Sequence, residues 1–401
     1  MAKSELPILI VGGGIGGFAA ALALTQKGFP VHLVERAADF KEIGAGIQLG
    51  PNVFRMFELL GVRDEMTHWA VFPDNLIMRD ALDGAEITRI PSGESLHRHF
   101  GYPYAVIHRA DLHNVLIDKV KASPLAKLTT SCKVTGYEDR GDRVVAATEE
   151  GRTFEGAALI GADGLWSMVR GQVVGDGKPR VSGHIAYRGV IPTAKVPAHL
   201  QENNVVLWAG PKTHLVHYPL HRGDVYNLVV VFHSSRYEEG WDTYGDAREL
   251  HERFASQQPK VREFLSMANE WKMWVLCDRE PVSQWTKGRV TLLGDAAHPM
   301  LQYLAQGGCM AIEDAVVLAA KLAAARGDGK SGNGGVNYNG AFLAYQKERY
   351  LRTARVQLTA RFYGDLYHAT DAVRDLRNQL LAGRTAEQAY AGVGWLYQPV
   401  M

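Results

Sequence analysis

The distribution of apolar and polar residues at the start of the chain predicts a strand, a helix and a second strand. LPILIVGGG is a short continuous apolar run rich in Ile and Val, which is typical of a buried strand in a parallel sheet. The turn GGGIGG follows, and FAAALALTQKG then has a helical pattern that ends at Gly28. The run PVHLVER is the next predicted strand. This order predicts a βαβ unit with a glycine-rich first turn.

Later segments continue the α/β pattern. GPNVFRMFELLG predicts an amphipathic helix, and YAVIHRADLHNVL predicts another helix that begins near Arg109. The runs AALIGADG and RVTLLGDAAH predict buried strands, each of which ends in glycine and aspartate. After the second of these, AIEDAVVLAAKLAAA predicts a long helix.

The pattern changes to alternation between about residues 175 and 285. HIAYRGVIP, NNVVLWAG, THLVHYPLH and VYNLVVVFH predict strands of an antiparallel sheet. Residues two apart on a strand share a face, so His214, Val216 and Tyr218 are predicted to point one way and His217 the other. One face of this strand therefore carries an imidazole and a phenol together.

Composition narrows the class of protein. A length of 401 residues predicts about two domains, and 46% hydrophobic and 22% charged residues are ordinary for a globular protein. The net charge of +1 gives no reason to expect nucleic acid or an anionic membrane as a partner. The three cysteines are few and odd in number and have no metal-ligand spacing. They therefore argue against a disulfide framework or a zinc site and favour a reducing compartment. The glycines in the opening apolar run and the polar TQKG after it argue against a signal peptide or a membrane span, so we expect a cytoplasmic protein.

The N-terminal glycines predict a dinucleotide site. Gly12 permits the tight turn, Gly14 lets a pyrophosphate approach the backbone, and Gly17 allows close packing of helix and strand. Glu35, at the end of the second strand, is predicted to accept hydrogen bonds from a ribose diol, and Arg36 beside it is assigned to the same site. Because a carboxylate there would repel an additional ribose phosphate, the residues indicate FAD or NAD.

The order of these motifs resembles one family. The GxGxxG turn with Glu35, then Arg109, then Asp163 with Gly164, and then GDAAHP are similar to the single-component flavoprotein aromatic hydroxylases, which share the fold of 4-hydroxybenzoate hydroxylase. The match extends from about residue 6 to the helix after AIEDA. The resemblance implies FAD in the glycine site, with Arg109 available to a phosphate or a flavin carbonyl.

The family also implies roles for the second half of the nucleotide site. Gly294 and Asp295 would meet the ribityl chain and the pyrophosphate, and Gly307 would start a helix whose N-terminus faces the flavin ring. Asp163 and Gly164 would serve both the flavin and a reduced nicotinamide. Since there is no second GxGxxG, we expect NADH, with NADPH not excluded, as a transient cosubstrate. The resemblance also implies that the bound flavin would activate O2 as a hydroperoxide for transfer of one oxygen atom, and that the protein would be a homodimer.

The predicted fold is therefore α/β with mixed α+β character, and it has three parts. Residues 1–174 with 286–325 form a discontinuous Rossmann-like FAD-binding domain around a parallel sheet. Residues 175–285 form the antiparallel-sheet substrate domain. Residues 326–401 form a glycine-rich loop and a C-terminal helical region.

The predicted substrate site lies where the sheet meets the flavin loop. His214 is predicted to be the base that takes the proton of a phenol, because electrophilic oxygen is accepted by a ring whose hydroxyl is ionised or nearly so. Gln302 stands where salicylate hydroxylases commonly carry proline, and it is predicted to hold the substrate hydroxyl together with His214. Tyr218 and Tyr104 are predicted to donate hydrogen bonds to a substrate carboxylate. His298 is predicted to be structural.

Gln302 and HLVHYPL resemble the branch of the family that oxidises 3-hydroxybenzoate para to its hydroxyl, which gives 2,5-dihydroxybenzoate (gentisate). Three alternatives stay open at this point. One is decarboxylating hydroxylation of salicylate, or a related hydroxybenzoate or hydroxynicotinate reaction. Another is an NAD-dependent dehydrogenase, and the third is a non-catalytic protein on the same scaffold.

The C-terminal region carries fewer signals. Arg349, Arg352 and Arg355 fall three apart on a predicted helix, which favours a solvated or dimer-facing basic stripe. The glycine- and asparagine-rich segment 326–340 predicts a mobile loop. The final GWLYQPVM is predicted to dock on the flavin domain.

Overall fold

The computed structural model describes residues 6–41, 46–235, 243–326 and 335–400. Within these ranges the helices are α1 (Ile15–Gln26), α2 (Pro51–Leu59), α3 (Arg63–Trp69), α4 (Glu94–Phe100), α5 (Arg109–Lys121), α6 (Met168–Val173), α7 (Ala247–Arg253), α8 (Pro259–Met267), α9 (Gly307–Ala324), α10 (Tyr338–Tyr367), α11 (Asp371–Leu381) and α12 (Ala386–Tyr397).

The strands are β1 (Ile8–Val11), β2 (Val31–Val34), β3 (Gly46–Leu49), β4 (Asn75–Asp80), β5 (Glu86–Pro91), β6 (Ala105–His108), β7 (Ala126–Thr129), β8 (Val134–Asp139), β9 (Val144–Thr148), β10 (Thr153–Gly156), β11 (Ala158–Gly161), β12 (Arg180–Pro192), β13 (Asn204–Gly210), β14 (Thr213–Leu220), β15 (Val225–His233), β16 (Thr243–Tyr244), β17 (Lys272–Asp278), β18 (Thr286–Lys287) and β19 (Val290–Leu292).

A parallel sheet forms the centre of the N-terminal part. Its strand order is β18-β19-β11-β1-β2-β7, and only the β18–β19 pair is antiparallel. Every residue of β1 and β2 is buried, because α1, α5 and α9 pack around these strands in one apolar core. The predicted α/β fold with a Rossmann-like first unit is confirmed. Within the described part of the chain, no helix has the length and hydropathy required to cross a membrane.

The second large sheet contains the predicted alternating strands, in the order β16-β17-β12-β15-β14-β13-β4-β5. It differs from the expectation in one respect, since β13 pairs with β4 in parallel and the sheet is therefore mixed. Strands β4 and β5 belong to the range 1–174 that was assigned to the FAD-binding domain, yet they hydrogen-bond into this sheet. The chain thus enters the second sheet twice.

The C-terminal helices cover the boundary between the two sheets. In α12, Leu396 and Tyr397 are buried against Phe100 and Tyr104 in an apolar cluster, which agrees with the predicted docking of the chain end. Residues 327–334, which contain most of the predicted glycine-rich loop, lie outside the described residues, as does the 42–45 part of the turn before β3.

The expected basic stripe on α10 is wrong for two of its three residues. Arg349 is 1% exposed and forms ion pairs with acidic residues of α9, and Arg352 is half-buried and pairs with one of them. Only Arg355 is exposed, and its guanidinium lies 4.0 Å from the centre of the Trp395 ring. The spacing of three does not reveal this outcome, because the acidic partners come from another helix, α9.

Candidate active site

The turn between β1 and α1 brings backbone groups into unusually close contact. Gly12 has a φ of +108°, and a Cβ at this position would overlap the carbonyl oxygen of Ala162. A Cβ on Gly17 would overlap the carbonyl oxygen of Gly12. Gly14 is the N-cap of α1 and offers no side chain to the first-turn N–H groups, and it lines the main cavity. These N–H groups and the helix dipole suit an anionic phosphate.

Glu35 is held beside this turn. Its Oε2 accepts the N–H of Gly13 at 2.6 Å, and its Oε1 accepts the N–H of Ala37 at 2.8 Å. Each carboxylate oxygen has a further lone pair for a ribose hydroxyl. Arg36 is exposed, and neither Glu35 nor Arg36 lines the main cavity. Their assignment to the cofactor stays a prediction.

Asp163 does not line the main cavity, whereas its neighbour Gly164 does. Its carboxylate accepts the Ser167 hydroxyl at 2.5 Å and two backbone N–H groups at the start of α6, at 2.8 and 3.1 Å. Burial raises the pKa of Asp163 in spite of these bonds. Gly164, with a φ of +78°, lines the cavity, as does Arg109 at the first position of α5. Asp163 therefore fixes the turn, and Gly164 is the member of the pair that faces the cavity.

The loop after β19 and the start of α9 form the opposite wall. Gly294 has a φ of +61° and donates its N–H to Oδ2 of Asp314 at 3.0 Å. Asp295 is exposed although the residues on either side of it are buried, and it lines the cavity. Gly307 begins α9 and lines the cavity too, and no side chain caps this helix at its N-terminus.

A buried charged network supports this loop from behind. Arg349 donates to Asp314 and to Glu313, both at 2.6 Å, and Arg352 donates to Glu313 at 2.8 Å. His298 shares a 2.6 Å hydrogen bond with Asp314, as expected for a structural residue. Burial alone would raise the pKa of Asp314, but His298 and Arg349 lower it to about 2. We call these five residues the charged network.

Arg170 of α6 forms hydrogen bonds to the same loop. Its guanidinium donates to the carbonyl oxygens of Ala296 at 3.0 Å and Ala297 at 2.6 Å, and it pairs with Asp176 at 2.6 Å. Arg170 is fully buried. The backbone around Asp295 is thus held from two sides.

One cavity of about 480 Å³ connects the two sheets. Its walls combine the glycine turn, Arg109, Gly164, the Gly294–Asp295 loop and Gly307 with residues of β14. Glycines that admit close approach, two helix N-termini without side-chain caps and an exposed carboxylate in a buried loop fit FAD, whose pyrophosphate needs the first two and whose ribityl hydroxyls suit the third.

The sheet end of the cavity has the predicted division of faces. His214, Val216 and Tyr218 line the cavity, whereas His217 points to the other side and accepts the indole N–H of Trp208 at 3.1 Å. This outcome follows from the period of two along β14.

Two phenols converge on one amide beside the cavity. The hydroxyl of Tyr104 donates to Oε1 of Gln48, and Tyr218 interacts with the same side chain. Tyr104 is 3% and Tyr218 is 2% exposed, and burial raises the pKa of both hydroxyls. Both phenols therefore remain protonated donors. Gln48 was not predicted, although it stands alone as a polar residue in the apolar run GIQLG.

Arg188 is a cavity residue that the sequence analysis missed. Its Nη2 donates to Oε1 of Gln302 at 2.8 Å, and its guanidinium lies 5.2 Å from the centre of the Trp274 ring. Arg188 has no carboxylate partner among the residues that the structure describes, and its Nε is enclosed without an acceptor. Burial lowers the pKa of Arg188. An arginine inside the apolar strand HIAYRGVIP was the signal that could have revealed it.

The hydrogen bond from Arg188 determines which atom of the Gln302 amide can bind a ligand. Its carbonyl oxygen is occupied by the guanidinium, so the amide nitrogen is the group left to donate toward a ligand. Gln302 and His214 both line the cavity, as predicted from their positions in the chain.

A cluster of neutral histidines surrounds His214. Nδ1 of His214 lies 2.7 Å from Nε2 of His368, and Nδ1 of His368 lies 3.0 Å from Nε2 of His233. Nδ1 of His184 lies 2.6 Å from the hydroxyl of Tyr303. Burial is the main cause that lowers the pKa of His214 to about 3 and that of His184 to about 4. We call His184, His214, His233 and His368 the histidine cluster.

Comparison with known proteins agrees with this arrangement. A family model described as an FAD binding domain matches residues 5–356. The chain is 45% identical over 394 residues to a 3-hydroxybenzoate 6-hydroxylase of Polaromonas naphthalenivorans (strain CJ2), covering 98% of this chain and 96% of the relative. It is 44% identical over 389 residues to a protein of the same name from Klebsiella oxytoca, covering 97% and 96%.

A solved structure supports the same fold. HpxO from Klebsiella pneumoniae, complexed with FAD and uric acid, superposes with a TM-score of 0.87 at 26% identity. The match covers 100% of this chain and 99% of that chain.

Proposed function

This chain belongs to the FAD-dependent aromatic monooxygenases, and from that membership we propose that it hydroxylates 3-hydroxybenzoate para to its hydroxyl to give 2,5-dihydroxybenzoate. The family and the enzyme class predicted from the sequence are confirmed. The observation that carries the proposal is the cavity that joins the FAD loops to His214 and Gln302. The names of the two relatives at 44–45% identity support the choice of substrate.

His214 is proposed as the base for the substrate hydroxyl. Its lowered pKa keeps the imidazole neutral at pH 7, so a ring nitrogen can accept a proton. The amide nitrogen of Gln302 would hold the hydroxyl oxygen while the proton leaves. Loss of that proton raises the electron density of the ring at the para carbon.

Arg188, Tyr104 and Tyr218 are proposed to bind the carboxylate. A guanidinium without an anionic partner is costly to enclose, and an aromatic acid supplies the missing charge. The protonated phenol of Tyr218, which Gln48 contacts, adds a hydrogen-bond donor, and Tyr104 would add a second one when the carboxylate replaces Gln48 as the acceptor of its hydroxyl proton. This division leaves His214 and Gln302 for the hydroxyl.

FAD is proposed to bind along the glycine turn and the opposite loop. Gly12, Gly14 and Gly17 would admit the pyrophosphate, Glu35 with Arg36 the adenosine ribose, and Asp295 the ribityl hydroxyls, while Arg109, Asp163, Gly164, Gly294 and Gly307 would complete the site. Bound FAD, reduced by NADH, supplies the activation of O2. NADH is proposed as the transient cosubstrate, and a homodimer as the assembly.

The test is product identification. The purified holoenzyme would be given NADH, oxygen and, in separate reactions, 3-hydroxybenzoate, salicylate or 4-hydroxybenzoate, with the products separated by chromatography. We expect 2,5-dihydroxybenzoate from 3-hydroxybenzoate. Catechol from salicylate would instead make the protein a decarboxylating hydroxylase and would remove the role proposed for Gln302.

Variants test the residue roles. His214→Ala and Gln302→Ala should keep FAD and still be reduced by NADH, and His214→Ala should hydroxylate roughly 10²- to 10⁴-fold more slowly, the usual range for a positioned proton transfer. His217→Gln is the matched control, because His217 lies on the same strand and faces the other way. Loss of FAD from either alanine variant, or hydroxylation at the unaltered rate in both, would contradict these roles.

A further inference from the structure

The histidine cluster extends from the cavity to the edge of the second sheet. His214 is 2% exposed and lines the cavity, His368 is 4% exposed, and His233 is half-buried at the last position of β15. Two residues further on, Ser235 is exposed. The three rings therefore connect a closed site to the surface of the molecule.

The fold creates this arrangement from three separate elements. His184 of β12 pairs directly with His233 of β15, and Val231, which shares the face of His233, pairs with His214 of β14. His368 follows the last residue of α10 and packs its ring on that of His214, with centroids 4.9 Å apart and planes at 28°. One ring nitrogen from each of His184, His233 and His368 lies within 4.8 Å of the others.

The contacts between ring nitrogens form one continuous chain. His214 uses Nδ1 toward Nε2 of His368, and His368 uses Nδ1 toward Nε2 of His233. Each imidazole can donate from one nitrogen and accept at the other. Nε2 of His214 is then the nitrogen left to take a proton from a ligand in the cavity.

We propose that His368 and His233 form a proton relay that carries the proton of the bound substrate hydroxyl from His214 to the edge of the sheet. This inference rests on the proposed function, since it needs a phenolic substrate beside His214. His368 and His233 act through His214 and so are positioning residues for the proton.

The transfer is balanced at each ring. The O–H bond of the substrate breaks as an N–H bond forms at Nε2 of His214. The proton on Nδ1 of His214 moves to Nε2 of His368, and the proton on Nδ1 of His368 moves to Nε2 of His233, whose Nδ1 releases a proton to water. Each imidazole ends neutral in its other tautomer, and reprotonation of the product hydroxyl returns the three rings to the starting state.

The surroundings favour transfer through neutral rings. Burial and the neighbouring histidines lower the pKa of His368, and burial and Lys212 lower that of His233, while Asp365 acts on His233 in the opposite direction. The phenol of Tyr303 packs against His368 and that of Tyr367 packs against His214, and burial raises the pKa of both phenols. No ring in the relay holds a resident charge that would stop a proton from passing.

The experiment uses the holoenzyme of His368→Gln and His233→Gln, with 3-hydroxybenzoate as the probe. Glutamine keeps a hydrogen-bonding side chain but does not pass a proton from one atom to another. We expect each variant to hydroxylate roughly 10²-fold more slowly, at the lower end of the range for positioned proton transfer. Substrate affinity, measured from the change in flavin absorbance on anaerobic titration, should be unchanged, and added imidazole should restore part of the rate.

His217→Gln is the matched control, because His217 is a buried histidine on the same strand as His214 that faces away from the cavity and bonds to Trp208. It should hydroxylate at the unaltered rate. An unaltered rate in either His368→Gln or His233→Gln would overturn the relay, and so would a loss of affinity that parallels the loss of rate and does not respond to imidazole. If the unaltered enzyme makes no dihydroxybenzoate, the proposed function fails first, and that result is distinct from a failure of the relay alone.

Discussion

The two ends of the cavity are supported by buried polar networks of opposite character. Behind the FAD loop, the charged network pairs every acid with a cation at 2.6 to 2.8 Å. At the sheet end, the histidine cluster is neutral and Arg188 has no carboxylate partner among the described residues. Each carboxylate of the first network has a cationic partner, although Nδ1 of His298 has no hydrogen-bond partner, whereas the sheet end encloses the cation of Arg188 without a carboxylate among the described residues.

This difference indicates that one network supports the structure and that the other takes part in the chemistry. Paired charges hold each other in one arrangement, and removing one partner leaves a buried charge uncompensated. Neutral imidazoles can donate or accept at either nitrogen, so they can change state without a large electrostatic cost. We infer that the FAD end is built for rigidity and that the sheet end is built to exchange protons and bind an anion.

The largest effect is expected from breaking the charged network. Arg349→Ala would remove the arginine that pairs with Asp314 and would leave Glu313 with Arg352 as its cation, and we expect a loss of about 3–5 kcal/mol in the free energy of unfolding. The Gly294 loop should lose its support at the same time, so the purified variant should contain less FAD. Urea unfolding and the flavin absorbance of the purified protein measure the two effects.

Arg355→Ala is the matched control on the same helix. Arg355 is exposed and its guanidinium packs on the Trp395 ring, so its removal should cost no more than about 1 kcal/mol. Equal stability of Arg349→Ala and the unaltered protein would show that the charged network does not hold the loop.

The same contrast explains what could be predicted from the sequence. The FAD end depends on positive φ or close backbone approach at Gly12, Gly17 and Gly294, and each of these glycines stands in a short motif that the sequence shows locally. The face of β14 could also be predicted, because the side-chain period of a strand fixes it. By contrast, Arg188, Gln48 and His368 come from segments far apart in the chain. No spacing within the sequence predicts that these three side chains lie at the same site.

The next effect concerns the anion site. Arg188→Met should weaken binding of 3-hydroxybenzoate by about 10- to 100-fold, since a hydrogen bond to a charged group contributes about 1.5–3 kcal/mol. Binding of 3-hydroxybenzamide, which lacks the charge, should change much less. Anaerobic titration followed by flavin absorbance gives both dissociation constants.

Arg79→Met is the control for removing a sheet arginine. Arg79 also lies over an indole, 5.3 Å from the centre of the Trp208 ring, but it pairs with Glu202. Substrate affinity should not change in this variant. If Arg188→Met weakens the binding of 3-hydroxybenzoate and of 3-hydroxybenzamide equally, Arg188 contributes to the shape of the site and not to recognition of the charge.

A slope of stability against pH distinguishes the two networks by the pH at which each one matters. The pKa of His214 falls from its ordinary 6.5 to about 3 in the folded chain. Below pH 6.5 the unfolded chain therefore takes up a proton that folded His214 does not, and stability declines as the pH falls, by about 1.4 kcal/mol per pH unit for each such histidine. The pKa of Asp314 falls from 3.8 to about 2, so its contribution is present above pH 3.8 and is lost as the pH falls toward 2.

Urea unfolding of the holoenzyme at pH 7, 6, 5 and 4 should then show a shallower slope for His214→Gln than for the unaltered protein. Asp314→Asn, which removes a charge but keeps the shape, should lower stability at every one of these pH values and leave the slope between pH 6.5 and 4 as it was. Equal slopes for His214→Gln and the unaltered protein would mean that folded His214 takes up its proton near pH 6.5, as the unfolded chain does. A charged His214 could not take the substrate proton, so this change in slope also tests the neutral state that the proposed base and the relay both require.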